Sequence, residues 1–304
     1  MPVLFFAALL TLLGARSPAR NMQTDLDSLK KTIESRIAEA GDSTISVAIH
    51  DMSSGREIFI RPDESFHPAS TFKLCVMMEA YHEAAQHKLR LSESIGVKNE
   101  FHSIADGSPY SLSAEDDADP DLYKKVGQLL PCSELIERMI TRSSNLATNI
   151  LMERLGADRV TRFVQTLGVF DVVVRRGVED NKAFAKGLNN AATARGLMQL
   201  LLRLASGTVV SREASESMID ILKRQQFNEG IPRGLPAGTP VAHKTGWIDK
   251  LYHDIAIVYP PNSKPFVLVV MTRGLPEQKE APALAAGISR IVFEVLTHPA
   301  KPGN

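Results

Sequence analysis

The sequence predicts a two-lobed α/β (α+β) fold, in which an all-helical lobe is inserted into a lobe built on an antiparallel five-stranded sheet. Two observations support this prediction: strand patterns lie near both ends of the chain, and the middle is almost entirely helical. Helices from both chain ends are expected to flank the sheet. The predicted boundaries are residues 20–68 and 211–304 for the α/β lobe and residues 69–210 for the helical lobe. A cleft is expected where the lobes meet.

Five strands are predicted, at residues 44–49, 57–60, 240–244, 254–259 and 266–272. The turn at Ser53, Ser54 and Gly55 makes the first two strands a hairpin. A second turn, at residues 260–263 (PPNS), separates the last two strands. A helix over about residues 280–296 follows, because apolar side chains recur there at helical spacing.

Four helices are predicted for the middle, at residues 134–141, 144–155, 158–167 and 191–205. Ser133 is the expected N-cap of the first, and Ser211 the expected N-cap of a further helix. Two long irregular stretches, residues 92–131 and 168–190, lie between the helices, and such long loops are usually functional or disordered. The acidic run in the first stretch is expected to be a solvated face rather than a metal site.

The composition is that of a soluble globular protein, with 304 residues of which 44% are hydrophobic and 23% charged. Its 35 basic and 35 acidic residues give a formal net charge of zero, so a nucleic-acid partner, which requires a basic face, is not indicated. We expect a monomer without metal or cofactor.

The N-terminus predicts a signal peptide over residues 1–19, and therefore a periplasmic or secreted protein. The apolar run of residues 3–13 is too short to span a membrane, and Ser17 and Ala19 form an acceptable cleavage site. No Lys or Arg precedes Arg16, so a retained N-terminal helix is the alternative. After signal removal no stable membrane association is expected.

The two cysteines, Cys75 and Cys132, leave two interpretations open. In an oxidising compartment they could form one disulfide. Buried free thiols are the alternative, and the distance between them, which the sequence does not supply, decides.

The first indication of chemistry is residues 67–78 (HPASTFKLCVMM), a predicted helix that is apolar on all sides and therefore buried. Ser70 and Lys73 lie in its first turn, on one face. A serine there has backbone N–H groups and the positive end of the helix dipole beside it, and a desolvated lysine has a lowered pKa. The pair predicts an activated nucleophile. Ser28 and Lys31 have the same spacing on a polar surface helix, so spacing alone is weak evidence.

Three further segments extend the pattern: Ser143-Ser144-Asn145 between two helices, Lys244-Thr245-Gly246 at the end of a short strand, and Glu179 in the second long loop. With Ser70 and Lys73 they reproduce, in order, the S-x-x-K, S-D-N and K-T-G motifs. The chain thus resembles the class A β-lactamases, within the penicillin-recognising serine enzymes, over nearly all of its length after the signal segment. Glu179 follows Asn145 by 34 residues, the family's interval to its Ω-loop glutamate; a surface carboxylate is the alternative interpretation.

The resemblance implies hydrolysis of β-lactams through a serine acyl-enzyme, with Ser70 as nucleophile. Lys73, or Glu179 through a water, would be the base that activates it. Ser143 would pass the proton to the leaving nitrogen. Glu179 would then activate the water that releases the acyl group.

The resemblance also implies the substrate-binding residues. Asn145 would bind the side-chain amide of the substrate, Lys244 and Thr245 its carboxylate, and Gly246 would allow close approach. The backbone N–H groups of Ser70 and Trp247 would bind the oxyanion. Arg273 is only a candidate for an additional carboxylate-binding arginine.

Four departures from the family pattern qualify these expectations. Ser144 replaces the aspartate of S-D-N, and Ala183 stands where an asparagine usually helps to hold the hydrolytic water, which favours slow deacylation. Trp247 is large where a small residue is usual, and the segment between Lys73 and Ser143 is longer than in the family. The cysteines do not match the family's disulfide positions, so that bridge is not expected.

Two other functions fit the motifs: a penicillin-binding D,D-peptidase, or a protein that binds β-lactams without turnover. Other chemistry is disfavoured, because no G-x-S-x-G motif is present and His253 and Asp254 would point to opposite faces of a strand. His82 and His87 are five residues apart, too far around a helix to share a metal.

Overall fold

The computed structural model describes residues 18–275, 277 and 279–297. Within this part of the chain, the strands are β1 (Thr44–Asp51), β2 (Arg56–Ile60), β3 (Ser94–Gly96), β4 (Phe101–His102), β5 (Pro109–Tyr110), β6 (Leu129–Pro131), β7 (Val241–Ile248), β8 (Leu251–Val258) and β9 (Phe266–Arg273). Five of them form an antiparallel sheet in the order β2-β1-β9-β8-β7, and β3–β6 and β4–β5 form two small pairs.

The five-stranded sheet joins the two ends of the chain, as predicted. β1 pairs with β9 along its whole length, from Thr44 opposite Arg273 to Asp51 opposite Phe266. The prediction for β7 and β8 is wrong in extent: β7 continues four residues beyond Lys244, to Ile248, and β8 begins at Leu251. A two-residue turn, with Lys250 at a φ of 54°, connects them. The Lys244-Thr245-Gly246 segment therefore lies inside an edge strand and not at its end.

The described helices are α1 (Pro18–Ala38), α2 (Lys73–Ala85), α3 (Cys132–Thr141), α4 (Asn145–Leu155), α5 (Ala157–Thr166), α6 (Asn181–Ala185), α7 (Ala194–Ala205), α8 (Arg212–Leu222) and α9 (Glu280–Thr297), with 3₁₀ turns at Ala69–Phe72, Pro120–Lys125 and Ile231–Gly234. Ser211 caps α8 as predicted, through a hydrogen bond from Ala214 N. Ser133 is not a cap, because α3 begins one residue earlier, after Pro131.

Two apolar clusters cover the two faces of the sheet. One contains α2 and helices of the middle of the chain together with Ala48, Val267 and Val269, and the other contains α1, α9 and the alternate sheet residues Val47 and Leu268. Residues 74–78 of α2 are all fully buried. The helix that begins beside Ser70 is therefore buried on every side, as its apolar sequence predicts.

The first long stretch is ordered by the small strand pairs, and its acidic run is only partly the solvated face that we expected. Asp117 is 6% and Asp119 2% exposed. Asp119 accepts hydrogen bonds from Arg138 and Arg142, and Asp117 accepts one from Leu146 N. Burial is tolerated because each carboxylate has donors around it. Among the described residues no group of three or more His, Cys, Asp or Glu side chains could hold a metal ion.

The N-terminal helix of the structure begins close to the end of the predicted signal peptide. The predicted signal peptide lies outside the described residues up to residue 17, and α1 begins at Pro18. No helix in the described ranges is long and apolar enough to cross a membrane.

Cys75 and Cys132 are both buried and free, so the structure contains no bridge between them.

Candidate active site

Ser70 lies in the 3₁₀ turn that leads into α2, at the wall of the largest described cavity. Ala69, the residue before it, has a φ of 45°, a left-handed conformation that non-glycine residues adopt at a cost of about 1–3 kcal/mol. Ser143 and Glu179 are also left-handed, with φ of 58° and 60°. Three strained residues therefore surround one cavity, a clustering typical of functional sites.

Lys73, the first residue of α2, has a fully buried side chain that points at the start of α4. Its Nζ donates to Ser143 O at 2.6 Å, to Asn145 Oδ1 at 2.9 Å and to Ser143 Oγ at 3.3 Å. The three acceptors satisfy the three donors of an ammonium group.

Lys244 approaches the same serine from β7. Its Nζ donates to Ser143 Oγ at 3.0 Å and to the carbonyl of Thr245 at 2.7 Å. The two lysine amines thus converge on Ser143 Oγ. Ser70 lines the cavity and its hydroxyl makes no hydrogen bond to the described residues, so neither lysine amine is bonded to the Ser70 oxygen.

Asn145 connects Lys73 to Glu179. Its Oδ1 accepts from Lys73 and its Nδ2 donates to Glu179 Oε1 at 2.9 Å. Glu179 is half-buried and lines the cavity, so it is not the surface carboxylate of the alternative interpretation. A chain of contacts therefore runs from one catalytic candidate to the other through a single amide.

Asn149 and Asp180 position the loop that bears Glu179, and sequence reasoning missed both. Asn149 Oδ1 accepts from Val178 N at 2.7 Å, and its Nδ2 donates to Val178 O at 3.0 Å. Asp180 caps α6 and accepts from Ser103 Oγ at 2.6 Å and from Ile104 N at 2.9 Å. Asn149 lies one helical turn after Asn145, which was the available signal.

Burial governs the ionisation of this group of side chains. Desolvation lowers the pKa of Lys73 to about 7, against the opposing attraction of Asp117 and Glu179. Desolvation, followed by repulsion from Lys73, lowers the pKa of Lys244 well below its ordinary value. Desolvation also raises the pKa of Glu179. A lysine with a pKa near 7 is neutral in a large fraction of molecules at neutral pH and can accept a proton.

Gly246 brings β7 against the start of α2. A Cβ atom at this position would lie 2.6 Å from Ser70 N and 2.9 Å from Thr71 N, closer than real contacts allow. The close approach places the backbone of the K-T-G strand beside the backbone of the candidate nucleophile. Trp247, the next residue, is 60% exposed and lies at the rim of the cavity.

The cavity beside Ser70 has a volume of about 840 Å³, within the range of small-molecule sites. Of the predicted site residues, its lining includes Ser70, Ser143, Asn145, Glu179, Thr245 and Trp247. Lys73 and Lys244 lie fully buried beneath it. The structure thus brings the predicted residues to one place. A site that combines an unbonded serine hydroxyl, a buried lysine with a pKa near 7 and a carboxylate can perform acyl transfer.

Arg273 is the sequence candidate that the structure does not bring to the cavity. It pairs with Glu64 at 2.6 Å and lies over the ring of Phe66. The cavity is instead lined by Arg176, which is 6% exposed and bonded to Asn189 Oδ1 and, at 3.2 Å, to His67 Nε2. Its donors are already engaged, so it does not replace Arg273 as a free carboxylate-binding group.

The histidines that the sequence analysis disfavoured as catalytic or metal-binding residues have other contacts in the structure. His253 contacts His67 O at 2.9 Å, while Asp254 bonds to His243 at 3.0 Å, so the two neighbours point away from each other as expected. His82 stacks on Phe163, and His87 lies beyond the end of α2.

Comparison with known proteins places this arrangement in a family. The pattern of the group described as "Beta-lactamase enzyme family" matches residues 28–296. A β-lactamase of Streptomyces fradiae is 27% identical over 263 residues, covering 84% of this chain and 82% of that protein. The β-lactamase CTX-M-97 of Escherichia coli is 27% identical over 285 residues, covering 92% and 88%.

Solved structures agree. An ancestral class A β-lactamase superposes with a TM-score of 0.76 at 28% identity, covering 88% of this chain and 99% of that one. PBP-A has a TM-score of 0.77 at 24% identity, covering 90% and 97%, a likeness of fold alone. Fold and site together define a hydrolase of the class A β-lactamase type. The chain belongs to the β-lactamase enzyme family.

Proposed function

We propose that this protein hydrolyses the amide bond of β-lactams through an acyl-enzyme on Ser70. The single observation that best supports this is the convergence of Lys73 and Lys244 on Ser143 Oγ, directly beneath a cavity to which Ser70 presents an unbonded hydroxyl. The family's activity supports the same conclusion.

In acylation, Ser70 Oγ attacks the lactam carbonyl and a carbon–oxygen bond forms. The base that takes the serine proton is either neutral Lys73 or Glu179 acting through a water, and Ser143 passes a proton to the lactam nitrogen as the carbon–nitrogen bond breaks. The short contacts between Lys73, Ser143 and Lys244 provide this proton route. Catalytic hydrogen bonds are often long in free enzymes and tighten when substrate binds, so the unbonded Ser70 hydroxyl is compatible with this step.

The negative charge of the tetrahedral intermediate falls on the former carbonyl oxygen. We propose that the backbone N–H groups of Ser70 and Trp247 bind it, which the close approach at Gly246 supports. Preorganised donors of this kind contribute roughly 3–4 kcal/mol each to the transition state.

Substrate binding follows from the same geometry. Lys244 and Thr245 hold the ring carboxylate, and a bound carboxylate raises the pKa of Lys244 again. Asn145 contributes to the amide of the acyl side chain, although its polar atoms are engaged with Lys73 and Glu179 in the free protein.

Deacylation requires a water activated by Glu179, whose half-buried carboxylate faces the cavity. The water attacks the ester carbon, Glu179 takes its proton, and Ser70 regains a proton as the acyl group leaves. Ala183 is fully buried and offers only a methyl group on α6, so fewer polar groups hold this water. We expect deacylation to limit turnover.

The second candidate function is a penicillin-binding D,D-peptidase or a poorly deacylating β-lactam-binding protein. Ser144, which caps α4 and accepts from Ala147 N where the family has an aspartate, favours it, as does Ala183. The engaged position of Glu179 argues against it.

Benzylpenicillin is the test, followed by both product formation and adduct mass. We expect Ser70→Ala to abolish the adduct and Glu179→Ala to form it but to stall release. If the Glu179 variant turned over normally, its assigned role would be wrong. A single burst without turnover of a chromogenic cephalosporin by the unaltered protein would favour the second candidate.

We further propose that residues 1–19 are a signal peptide and that the mature protein is a periplasmic or secreted monomer. Its α/β lobe would consist of residues 20–68 and 211–304, and its helical lobe of residues 69–210. We also propose that the protein confers β-lactam resistance. N-terminal sequencing of exported protein, light scattering and susceptibility of an expressing strain test these points separately.

A further inference from the structure

A second cavity, here named the hairpin groove, lies beside the β7–β8 hairpin, and Ser70 is not among its lining residues. It has a volume of about 480 Å³ and lies between the hairpin, the start of α9 and the segment before the Ile231–Gly234 turn. Its lining includes Phe227, Glu229, Trp247, Asp249, Tyr252 and Leu275. The catalytic steps proposed above do not use this space.

The hairpin groove and the cavity beside Ser70 share part of their lining. Thr245, Trp247 and Asp249 line both cavities, as do Ile248 and Phe227. The boundary between the two is therefore the edge strand β7 itself. Thr245 therefore lies at the border of both cavities.

Aromatic and apolar side chains form most of the lining of the groove. Trp247 is 60% exposed, the rings of Phe227 and Tyr252 are partly buried, and Leu275 is buried. An exposed tryptophan beside two further rings is a surface on which an aromatic group stacks, and it attracts a cation to the ring faces.

The charges around the groove favour a cation. Glu229 and Asp249 are exposed, and neither forms an ion pair in the described part of the chain. Glu277 also lines the groove but pairs with Lys279 at 3.1 Å. Lys250 is the one basic residue among the lining residues, so carboxylates are in excess.

The proposed function sets the direction of the substrate. In a penicillin or cephalosporin the ring carboxylate is on the carbon bonded to the lactam nitrogen, on the leaving-group side of the bond that breaks, and ring opening keeps that side attached to the acyl group on Ser70. With this carboxylate at Lys244 and Thr245, the second ring and its substituent lie beside Thr245, which lines both the cavity beside Ser70 and the hairpin groove. We propose that the hairpin groove binds this substituent and selects an aromatic cation there; the inference rests on the proposed function.

Cephaloridine and cephalothin form a suitable pair of probes. They have the same thienylacetyl side chain and differ only at the 3-position, which is a pyridinium in the first and an uncharged acetoxy group in the second. The measured quantity is kcat/KM for loss of the β-lactam absorbance, which reports acylation. Comparing the ratio of the two values between variants cancels the intrinsic reactivities of the compounds.

We expect Glu229→Gln and Asp249→Asn each to lower the cephaloridine-to-cephalothin ratio by about two- to fivefold, the scale of exposed charge interactions. In the unaltered protein, added salt should also lower the cephaloridine-to-cephalothin ratio, because salt screens the attraction between the carboxylates and the pyridinium. Glu216→Gln is the matched control, because Glu216 is an exposed carboxylate of α8 that lines neither cavity. Its ratio should equal that of the unaltered protein.

Equal ratios in all four proteins would overturn the inference while leaving β-lactam hydrolysis intact. Failure of the proposed function gives a different result, in which neither cephalosporin is turned over; no kcat/KM ratio then exists, and that result removes both.

Discussion

Ser143 accepts hydrogen bonds from two lysine amines, and this crowding of cations is the main electrostatic feature at the scale of single residues. Burial and mutual repulsion both favour the neutral form of at least one amine. Lys73, with a pKa of about 7, is three residues after the candidate nucleophile Ser70 in the chain. Its ionisation makes a direct prediction about the pH dependence of acylation.

Acylation by benzylpenicillin should become faster as the pH rises through about 7, because Lys73 is protonated below this pH and cannot accept the serine proton. Well below the pKa, kcat/KM should fall about tenfold per pH unit. The measurement is kcat/KM, or the rate of adduct formation, between pH 5 and 9. The same inflection should persist in Glu179→Gln; its disappearance there would assign the base to Glu179.

A second buried ionisable residue, Glu79 of α2, affects stability. Its side chain is 3% exposed and its Oε2 has no hydrogen-bond partner in the described part of the chain. Burial, and then the charge of Glu83, raise its pKa to about 7. The folded protein therefore binds more protons than the unfolded chain between about pH 4.5 and 7, so stability falls as the pH rises through this window.

Glu79→Gln should stabilise the protein at pH 8 by about 1–3 kcal/mol and have little effect at pH 5, where the folded-state carboxyl is already neutral. Urea unfolding at both pH values measures the difference. Glu83→Gln is the control on the same helix: Glu83 pairs with Arg159 at 2.9 Å, so its variant should destabilise at pH 8. Identical behaviour of the two variants would contradict the argument.

At the scale of elements, two amide side chains of α4 hold the loop that bears Glu179: Asn145 bonds to the Glu179 carboxylate, and Asn149 bonds to the loop backbone. Asn149 accepts from and donates to the backbone of Val178, the residue before Glu179. Gly177 fits beside Asn149 only because it has no side chain, since a Cβ there would lie 2.2 Å from Asn149 Oδ1. The carboxylate of Glu179 is positioned through this contact.

Asn149→Ala should slow deacylation at least tenfold and change acylation much less, because it releases the loop but leaves Lys73 in place. The accumulated acyl-enzyme fraction during benzylpenicillin turnover, read by mass spectrometry, is the measurement. Asn99→Ala is the matched control, because Asn99 makes the same pair of hydrogen bonds to the backbone O and N of Leu112, at 2.8 and 2.9 Å. Both variants should lose about 1–3 kcal/mol of stability. If the two variants accumulated the same acyl-enzyme fraction, the effect of Asn149→Ala would be a loss of stability and not of Glu179 positioning.

At the scale of the whole molecule, the active site depends on the close packing of the sheet against the helices from the middle of the chain. Gly246 of β7 lies against the backbone of Ser70 and Thr71, and this contact forms the wall between two sequence-distant motifs. Any side chain at Gly246 must move one element away from the other. The active site is therefore sensitive to a single methyl group at this position.

Gly246→Ala should reduce adduct formation by more than tenfold, since a Cβ 2.6 Å from Ser70 N disturbs both the oxyanion donors and the nucleophile. Gly96→Ala is the control, because Gly96 also lies in a strand and has no atom within 4 Å of its would-be Cβ. Adduct mass and thermal unfolding of both variants test this. Normal acylation by the Gly246 variant would show that the close approach is not required.

The sequence by itself determined the sheet from both chain ends, the buried helix that follows Ser70, and the order of the catalytic motifs. Periodicity and local spacing encode these features, because they depend on neighbours within one element. The class A resemblance added Glu179 through its interval from Asn145. The length of β7 and β8 was missed, because pairing with a neighbouring strand stabilises residues whose own pattern does not indicate a strand.

Only the tertiary structure decided which groups meet. It placed both lysines on Ser143, engaged Arg273 with Glu64, and left Cys75 and Cys132 as separate buried thiols. The physical reason is that hydrogen bonds, desolvation and disulfide geometry depend on distances between distant segments of the chain, and spacing along one segment contains no information about those distances.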